Sequence, residues 1–253
     1  MFASSEAYDQ YVGRYGAALS HAHVTAAGVQ PGHTALDVGC GPGALTQRLA
    51  EAIGGEHVAA VDPSAPFVEA CRARVPGADV RIGTAERLPD FGRLFDFVMS
   101  QLVVNFMTDA ESGMSAMRAA TRPGGLVTAC VWDYADGMTM LRNFWDAALE
   151  LDPNAPDEGR FMRHCSPAEL RALWEKCGLD DVETDALDVE ASYTDFDEFW
   201  GPFLSGVGPG GDYCASLDAE RRDALRDSVF RRLGEPTGPF TLPARAWFVR
   251  GRV

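Results

Sequence analysis

The stretch ALDVGCGPGALTQRLA, from Ala35 to Ala50, constrains this chain more than any other. A short apolar run ends in a turn holding Gly39, Gly41 and Gly43, and a helical pattern begins at once. Strand, glycine turn and helix in that order open a βαβ unit, which calls for a parallel sheet with helices on its faces. The rhythm continues from Thr34 to Asp133, with expected strands at TALDVG, HVAAVD, DVRIGTA, FDFVMSQL and GLVTACVW. Helices are expected near Ala44 to Ile53, Ala65 to Val75 and Ala110 to Thr121, while ERLPDFGRL reads as at most a short turn of helix. Arg122 to Gly125, RPGG, stops the last long helix. Right-handed crossovers bring the loops that follow the strands to one edge, where α/β sheets bind ligands.

Beyond Asp133 the rhythm changes. Tyr134 to Cys165 is rich in aromatics and methionine, is broken by Pro, Asp and Asn between Asp152 and Asp157, and reads as an inserted cap. SPAELRALWEKCGL follows as a helix, with Ser166 as N-cap, Pro167 at the first position, Glu169 completing a capping box and Gly178 past the end. A strand near VETDALDVEASY leads to a second insertion, DFDEFWGPFLSGVGPGGDY, and to a helix from Leu217 to Leu233. FTLPARAWFVRGRV closes the chain in a strand pattern. With no repeat and no long linker, residues 1–253 read as a single domain: an N-terminal helical lid at 1–33, a core at 34–133, and caps at 134–165 and 195–235. Within the lid Tyr8, Tyr11, Arg14 and Tyr15 fall on one helical face.

Charge narrows the partners. A formal net charge of -15 repels nucleic acid unless a basic patch is concentrated locally. Arg221, Arg222, Arg226, Arg231 and Arg232 come nearest to one, yet Asp218, Glu220, Asp223 and Asp227 intervene at helical spacing, which reads as a solvated, salt-bridged face. The six cysteines are scattered, without C-x-x-C or clustered histidines, and read as single thiols rather than a disulfide framework or a metal site. No apolar tract is long enough to span a membrane, and the N-terminus lacks the basic start and apolar run of a secretory signal. The expectation is a cytoplasmic protein with a small, uncharged or cationic partner, no nucleic acid, no membrane and no metal.

Two ligands compete for the glycine turn. Gly39, Gly41 and Ala44 satisfy G-x-G-x-x-G/A, the fingerprint of a dinucleotide pyrophosphate site. Asp37 speaks against it, because a carboxylate two residues before Gly39 disfavours a pyrophosphate and suits an ammonium. A strand period of two would turn its neighbours into the core and leave Asp37 at the lip. S-adenosylmethionine carries an ammonium and a positive sulfonium and has no phosphates. Asp62, at the tip of HVAAVD, suits the two hydroxyls of a ribose in either ligand.

The combination of DVGCGPG, Asp62, GTAERLP and FDFVMSQLVVNF resembles the class I S-adenosylmethionine-dependent methyltransferases, especially the quinone-biosynthesis and small-molecule branch. The resemblance covers Thr34 to Asp133 and implies a Rossmann-like α/β fold, mostly parallel with a last antiparallel strand and helical cap insertions. It implies that Gly39, Cys40, Gly41 and Gly43 surround the cofactor, with Asp37 near the amino group and Asp62 on the ribose. Pro63 and Ser64 would flank the adenine, Ala85 and Glu86 would read its amino group, and Gln101 would lie beneath the sulfonium. Tyr11 or Arg14 would touch the methionine carboxylate, unless that face of the N-terminal helix is ordinary packing. Glu86 is alternatively a plain acid at a helix N-terminus, and Cys40 a small buried residue rather than a nucleophile.

Methyl transfer needs position and a dry pocket, and a base only where the acceptor carries a proton. No catalytic residue is nominated clearly; His164 is the candidate, with packing under the following helix as the alternative. Asn105, Trp132, Tyr134, Phe144, His164, Trp200 and Phe203 are candidate acceptor-lining residues, although such aromatics also build cap cores. The expected function is methyl transfer from S-adenosylmethionine to a small molecule. An NAD-dependent oxidoreductase, or a protein that binds S-adenosylmethionine without methylating, stands as the alternative.

Overall fold

The computed structural model describes residues 12–206 and 208–253. Seven strands form one sheet in the order β3-β2-β1-β4-β5-β7-β6. They are β1 Ala35–Val38, β2 Val58–Asp62, β3 Asp79–Ile82, β4 Phe95–Gln101, β5 Thr121–Trp132, β6 Asp180–Tyr193 and β7 Phe240–Arg252. β1 pairs in parallel with β2 and with β4, β2 with β3, and β4 with β5. β7 runs antiparallel to β5, with Cys130 opposite Phe248. The chain leaves β1 toward β2 and β3, then returns to lay β4 on its other side. The strand order therefore reverses between β1 and β4, and the crevice outside their carboxyl ends is where such sheets take ligands.

Helices α1 Gly16–Ala27, α2 Ala44–Ile53, α3 Ala65–Arg74, α4 Ala110–Ala120, α5 Thr139–Leu151, α6 Pro167–Lys176, α7 Phe196–Leu204, α8 Gly208–Ser216 and α9 Ala219–Arg232 complete the described chain. The period of two along the strands sorts the core. Ala35, Phe97 and Met99 pack with Val24, Ala27, Leu45 and Leu49 of α1 and α2. Leu36, Val38, Val98, Val127 and Ala129 pack with Met114, Met117, Leu170 and Trp174 of α4 and α6. β1 and β2 are buried at every position, as befits inner parallel strands covered on both faces.

Two compact units emerge. The sheet unit comprises Gly16–Trp132, Arg163–Leu187 and Ala246–Val253. The second comprises Asp133–Met162 and Asp188–Arg245 with the segment ending at Tyr15. α1, expected within the lid at 1–33, lies in the sheet unit, where Val24 and Ala27 join the apolar layer. Tyr8 and Tyr11 lie outside the described residues, and Arg14 and Tyr15 occupy a 3-10 turn, Val12–Tyr15, rather than one face of an α-helix.

In the second unit Phe144 stacks on Phe203 with centroids 4.3 Å apart, and Phe196 stacks on Trp200. Arg142 bridges Asp157 at 2.9 Å and Asp146 at 3.1 Å. The arginines of α9 pair beyond their own helix, Arg226 with Asp197 and Arg232 with Asp146 and Glu150, while Arg222 donates to the carbonyls of Cys214 and Leu217. Arg221 alone among these keeps an acid of its own segment, Asp218 at the N-cap. Among the described residues no helix is long and apolar enough to cross a membrane, and no cluster of His, Cys, Asp or Glu suits a metal.

Ser166 caps α6 as expected, accepting from the Glu169 N–H, but the second half of the box differs. Glu169 accepts from the Ser166 hydroxyl at 2.7 Å, so one side chain is spent holding the other.

Candidate functional site

The glycine turn is fastened to β2. Gly39 and Cys40 both donate their N–H to the Val61 carbonyl, at 2.8 and 2.9 Å. Gly41 donates to Asp62 Oδ2 at 2.8 Å, and Ser64 donates to Asp62 Oδ1 at 2.8 Å. Asp62 thus holds the turn and the start of α3 at once. Burial raises its pKa, against the pull of the Ser64 and Gly41 N–H groups. Each of its oxygens keeps a second acceptor direction. Gly43 donates to the Cys40 carbonyl and opens α2, its own carbonyl accepting from Gln47.

Two glycines of this turn do different work. A Cβ on Gly39, at φ +79°, would lie 2.4 Å from a Val103 methyl. Gly41, at φ +52°, has nothing within 4 Å of its Cβ position. Gly39 is fixed by packing, whereas Gly41 borders open space.

Asp37 does not sit at the lip. It is fully buried within β1 and, sharing its face of the strand with Ala35, turns toward α2. There Thr46 Oγ1 donates to its Oδ2 at 2.7 Å. Oδ1 is buried with no hydrogen-bond partner among the described residues. Burial first, and then the Asp62 charge, push the Asp37 pKa up to about 7, with the Thr46 hydrogen bond acting the other way. An acceptor left unpaired at such depth costs on the order of 1–3 kcal/mol, and a bound cation or N–H donor relieves it. Thr46 was not singled out in the sequence, although a hydroxyl between Leu45 and Leu49 on the buried face of α2 is a local signal.

Gln101, at the end of β4, donates from Nε2 to Ser20 Oγ of α1 at 2.9 Å, and its Oε1 is buried without a hydrogen-bond partner among the described residues. Beside it His23, also on α1, meets Thr128 Oγ1 at 2.9 Å and Cys130 Sγ at 3.5 Å. Burial lowers the His23 pKa to about 4, outweighing the Gln101 side chain, which raises it, so the ring is neutral near pH 7. Neither Ser20 nor His23 had a local sequence signal.

The remaining candidates divide. Cys40 is buried; the neighbouring Cys71 thiol and burial raise its pKa, which leaves it an inert small residue. Pro63 is exposed and Ser64 half-buried at the N-terminus of α3, while Ala85 is buried. Glu86 Oε1 accepts from the N–H groups of Thr108 at 3.1 Å and Asp109 at 3.4 Å. Burial raises its pKa, but hydrogen bonds from its own N–H, Asp109, Thr84 and Thr108 hold it below the usual range. The carboxylate therefore ties the turn between Thr84 and Arg87 to the approach to α4.

Arg14 bonds the Ser192 carbonyl at 3.0 Å and Glu198 at 3.1 Å and lies over the Tyr193 ring, all within the second unit. Tyr11 lies outside the described residues. His164 belongs to the sheet unit at φ +58°, and its Nδ1 is buried without a partner among the described residues. Burial lowers its pKa, opposed by Glu169. Asn105 is half-buried in a 3-10 turn after β4, and Trp132 is buried at the end of β5. Tyr134 accepts from Arg142 through its carbonyl, and Phe144, Trp200 and Phe203 pack on one another as the aromatic core of the second unit.

Residues 35–125 match the family model for a methyltransferase domain. A ubiquinone biosynthesis O-methyltransferase of Brucella ovis is 38% identical over 96 residues, which are 36% of this chain and 38% of that protein. A malonyl-[acyl-carrier protein] O-methyltransferase of Salmonella typhimurium is 31% identical over 115 residues, 44% of this chain and 43% of that one. The chain thus spans about two fifths of the curated relatives it matches. The YcgJ protein of Bacillus subtilis superposes with a TM-score of 0.57 at 16% identity, covering 94% of this chain and 97% of its own. Phosphoethanolamine N-methyltransferase 2 of Haemonchus contortus, solved with phosphomonomethylethanolamine and S-adenosylhomocysteine, gives 0.55 at 16% identity over 93% of this chain and 52% of that one.

Proposed function

We propose that this chain, whose residues 35–125 match the family model for a methyltransferase domain, is a class I S-adenosylmethionine-dependent methyltransferase that transfers a methyl group from S-adenosylmethionine to a small-molecule acceptor. The observation that carries this reading is the Asp37 carboxylate, buried with Oδ1 unpaired beside a glycine turn that opens at Gly41. A buried acceptor of that kind fits a cationic ligand and opposes a pyrophosphate. S-adenosylmethionine supplies a methyl group on a positive sulfonium, already activated for in-line displacement.

The chain's own residues position and desolvate. Asp37 takes the ammonium, Gly41 lets the backbone approach while Gly39 and Gly43 fit the turn against Val103 and Cys71, and the free acceptor directions of Asp62 take the ribose hydroxyls. Pro63, Ser64 and Ala85 border the adenine. The Gln101 oxygen faces the sulfonium end. A base is optional in such chemistry, and His164, with a depressed pKa and an unengaged Nδ1, is the candidate where the acceptor must lose a proton. The net charge of -15 supports an acceptor other than nucleic acid, and the ubiquinone biosynthesis O-methyltransferase among the curated relatives is in keeping with a small one.

Thermal melts with S-adenosylhomocysteine and with NAD separate the readings. At about 100 times its dissociation constant the former should add about 2.7 kcal/mol to stability, with no shift from NAD. Stabilisation by NAD alone would replace this proposal with an oxidoreductase. Transfer of labelled methyl into small hydroxyl-, amine- or carboxylate-bearing acceptors, and not into RNA or DNA, completes the test.

A further inference from the structure

Ser20 is a fully buried serine inside α1, where alanine suits a helix better. Its hydroxyl donates to the Gly16 carbonyl at 2.8 Å, four residues back. A serine hydroxyl has one proton, so Ser20 can only accept from Gln101. The 2.9 Å contact therefore places the Gln101 nitrogen against Ser20 and obliges the amide oxygen to face the other way. That oxygen is buried and unpartnered among the described residues, as are Asp37 Oδ1 and Ser100 Oγ on the same pair of strands. Two buried acceptors thus lack partners on adjacent strands, Asp37 opposite Met99 and Gln101 two residues further along β4. A ligand with two cationic centres matches them, one centre on the carboxylate and the other on the amide oxygen.

We propose that Ser20 is a positioning residue that locks the Gln101 amide with its oxygen toward the sulfonium, so that the site prefers the cationic cofactor over its neutral product. The inference rests on the reading of the site given above. Without the Ser20 hydroxyl only the His23 ring beside it orients the amide, and its NH2 end can turn toward the positive charge. The two ligands share every other group, so a general loosening weakens both alike, whereas loss of orientation weakens the sulfonium form selectively.

The test is calorimetric binding of S-adenosylmethionine and S-adenosylhomocysteine to the full chain, its Ser20→Ala variant and its Ser20→Thr variant. Ser20→Ala should lower the affinity for S-adenosylmethionine three- to tenfold more than that for S-adenosylhomocysteine. Ser20→Thr, which keeps a hydroxyl able to bond the Gly16 carbonyl, should keep the wild-type ratio within twofold. An equal loss for both ligands in Ser20→Ala, or a ratio in Ser20→Thr displaced as far as in Ser20→Ala, overturns the role of Ser20 and leaves the site reading standing. Failure of the unmodified chain to bind either ligand overturns both.

Discussion

Asp37→Asn should melt at a higher temperature than the unmodified chain at pH 8 and yet bind S-adenosylhomocysteine about 100-fold or more weakly. Burial raises the Asp37 pKa in the folded chain to about 7, against an ordinary value of 3.8. A folded-state pKa above the unfolded one means that the native protein holds the proton more tightly, so stability falls as pH rises from about 4 to about 7. Complete ionisation then costs on the order of 4 kcal/mol. Asparagine removes this cost, although its buried NH2 gives back roughly 1–3 kcal/mol where it lacks an acceptor. The net gain of about 1–3 kcal/mol corresponds to roughly 2–12 °C in a chain of this size. The advantage should shrink toward pH 5, where Asp37 is protonated in the native protein. The binding loss follows from removing one partner of a buried charge pair, worth about 3–5 kcal/mol. Melting curves and calorimetry across pH check both halves, and a variant that binds normally would remove Asp37 from the site.

The second large effect separates two neighbouring glycines. Gly41→Ala should fold with a loss of about 1 kcal/mol, the cost of a left-handed conformation for a residue with Cβ. Its cofactor affinity should fall at least tenfold, because the methyl enters the open space beside the turn. Gly39→Ala carries the same conformational cost plus an overlap with Val103 at 2.4 Å, and should lose about 2–5 kcal/mol of stability. Combining Gly39→Ala with Val103→Ala makes room for the methyl and should restore part of that stability. Denaturant melts of the three variants with S-adenosylhomocysteine titrations are the check. A Gly41→Ala chain that binds as tightly as wild type would place the cofactor elsewhere.

The sheet was legible because inner parallel strands are continuous apolar runs, and a helix such as α6 begins at a clear signal, Ser166, whose side chain accepts from the Glu169 N–H. Where the sequence misled, long-range contact decided. Asp37 was expected at the lip from strand alternation, but both faces of β1 are covered, so alternation chose which helix layer the carboxylate meets rather than core or edge. Glu86 and Arg14 carry charges whose partners, Thr108 with Asp109 and Glu198, lie 22 or more residues away. The pairing of Ser20 with Gln101 spans 81 residues, and that of His23 with Thr128 spans 105, with no local pattern at either end. Phe144, Trp200 and Phe203 show why aromatic content alone does not define a pocket: the rings satisfy one another.

The proton balance of binding tests the central claim most directly. Titrating S-adenosylhomocysteine calorimetrically from pH 5.5 to 8.5, in two buffers of different ionisation enthalpy, reads both affinity and protons released. If Asp37 receives the ammonium, binding favours its ionised form, so affinity should rise about tenfold per pH unit below 7 and level off above it, with close to one proton released on the acid side. Asp37→Asn should show neither the slope nor the proton. An affinity that is flat across this range in the unmodified chain, with no proton released, would contradict the account.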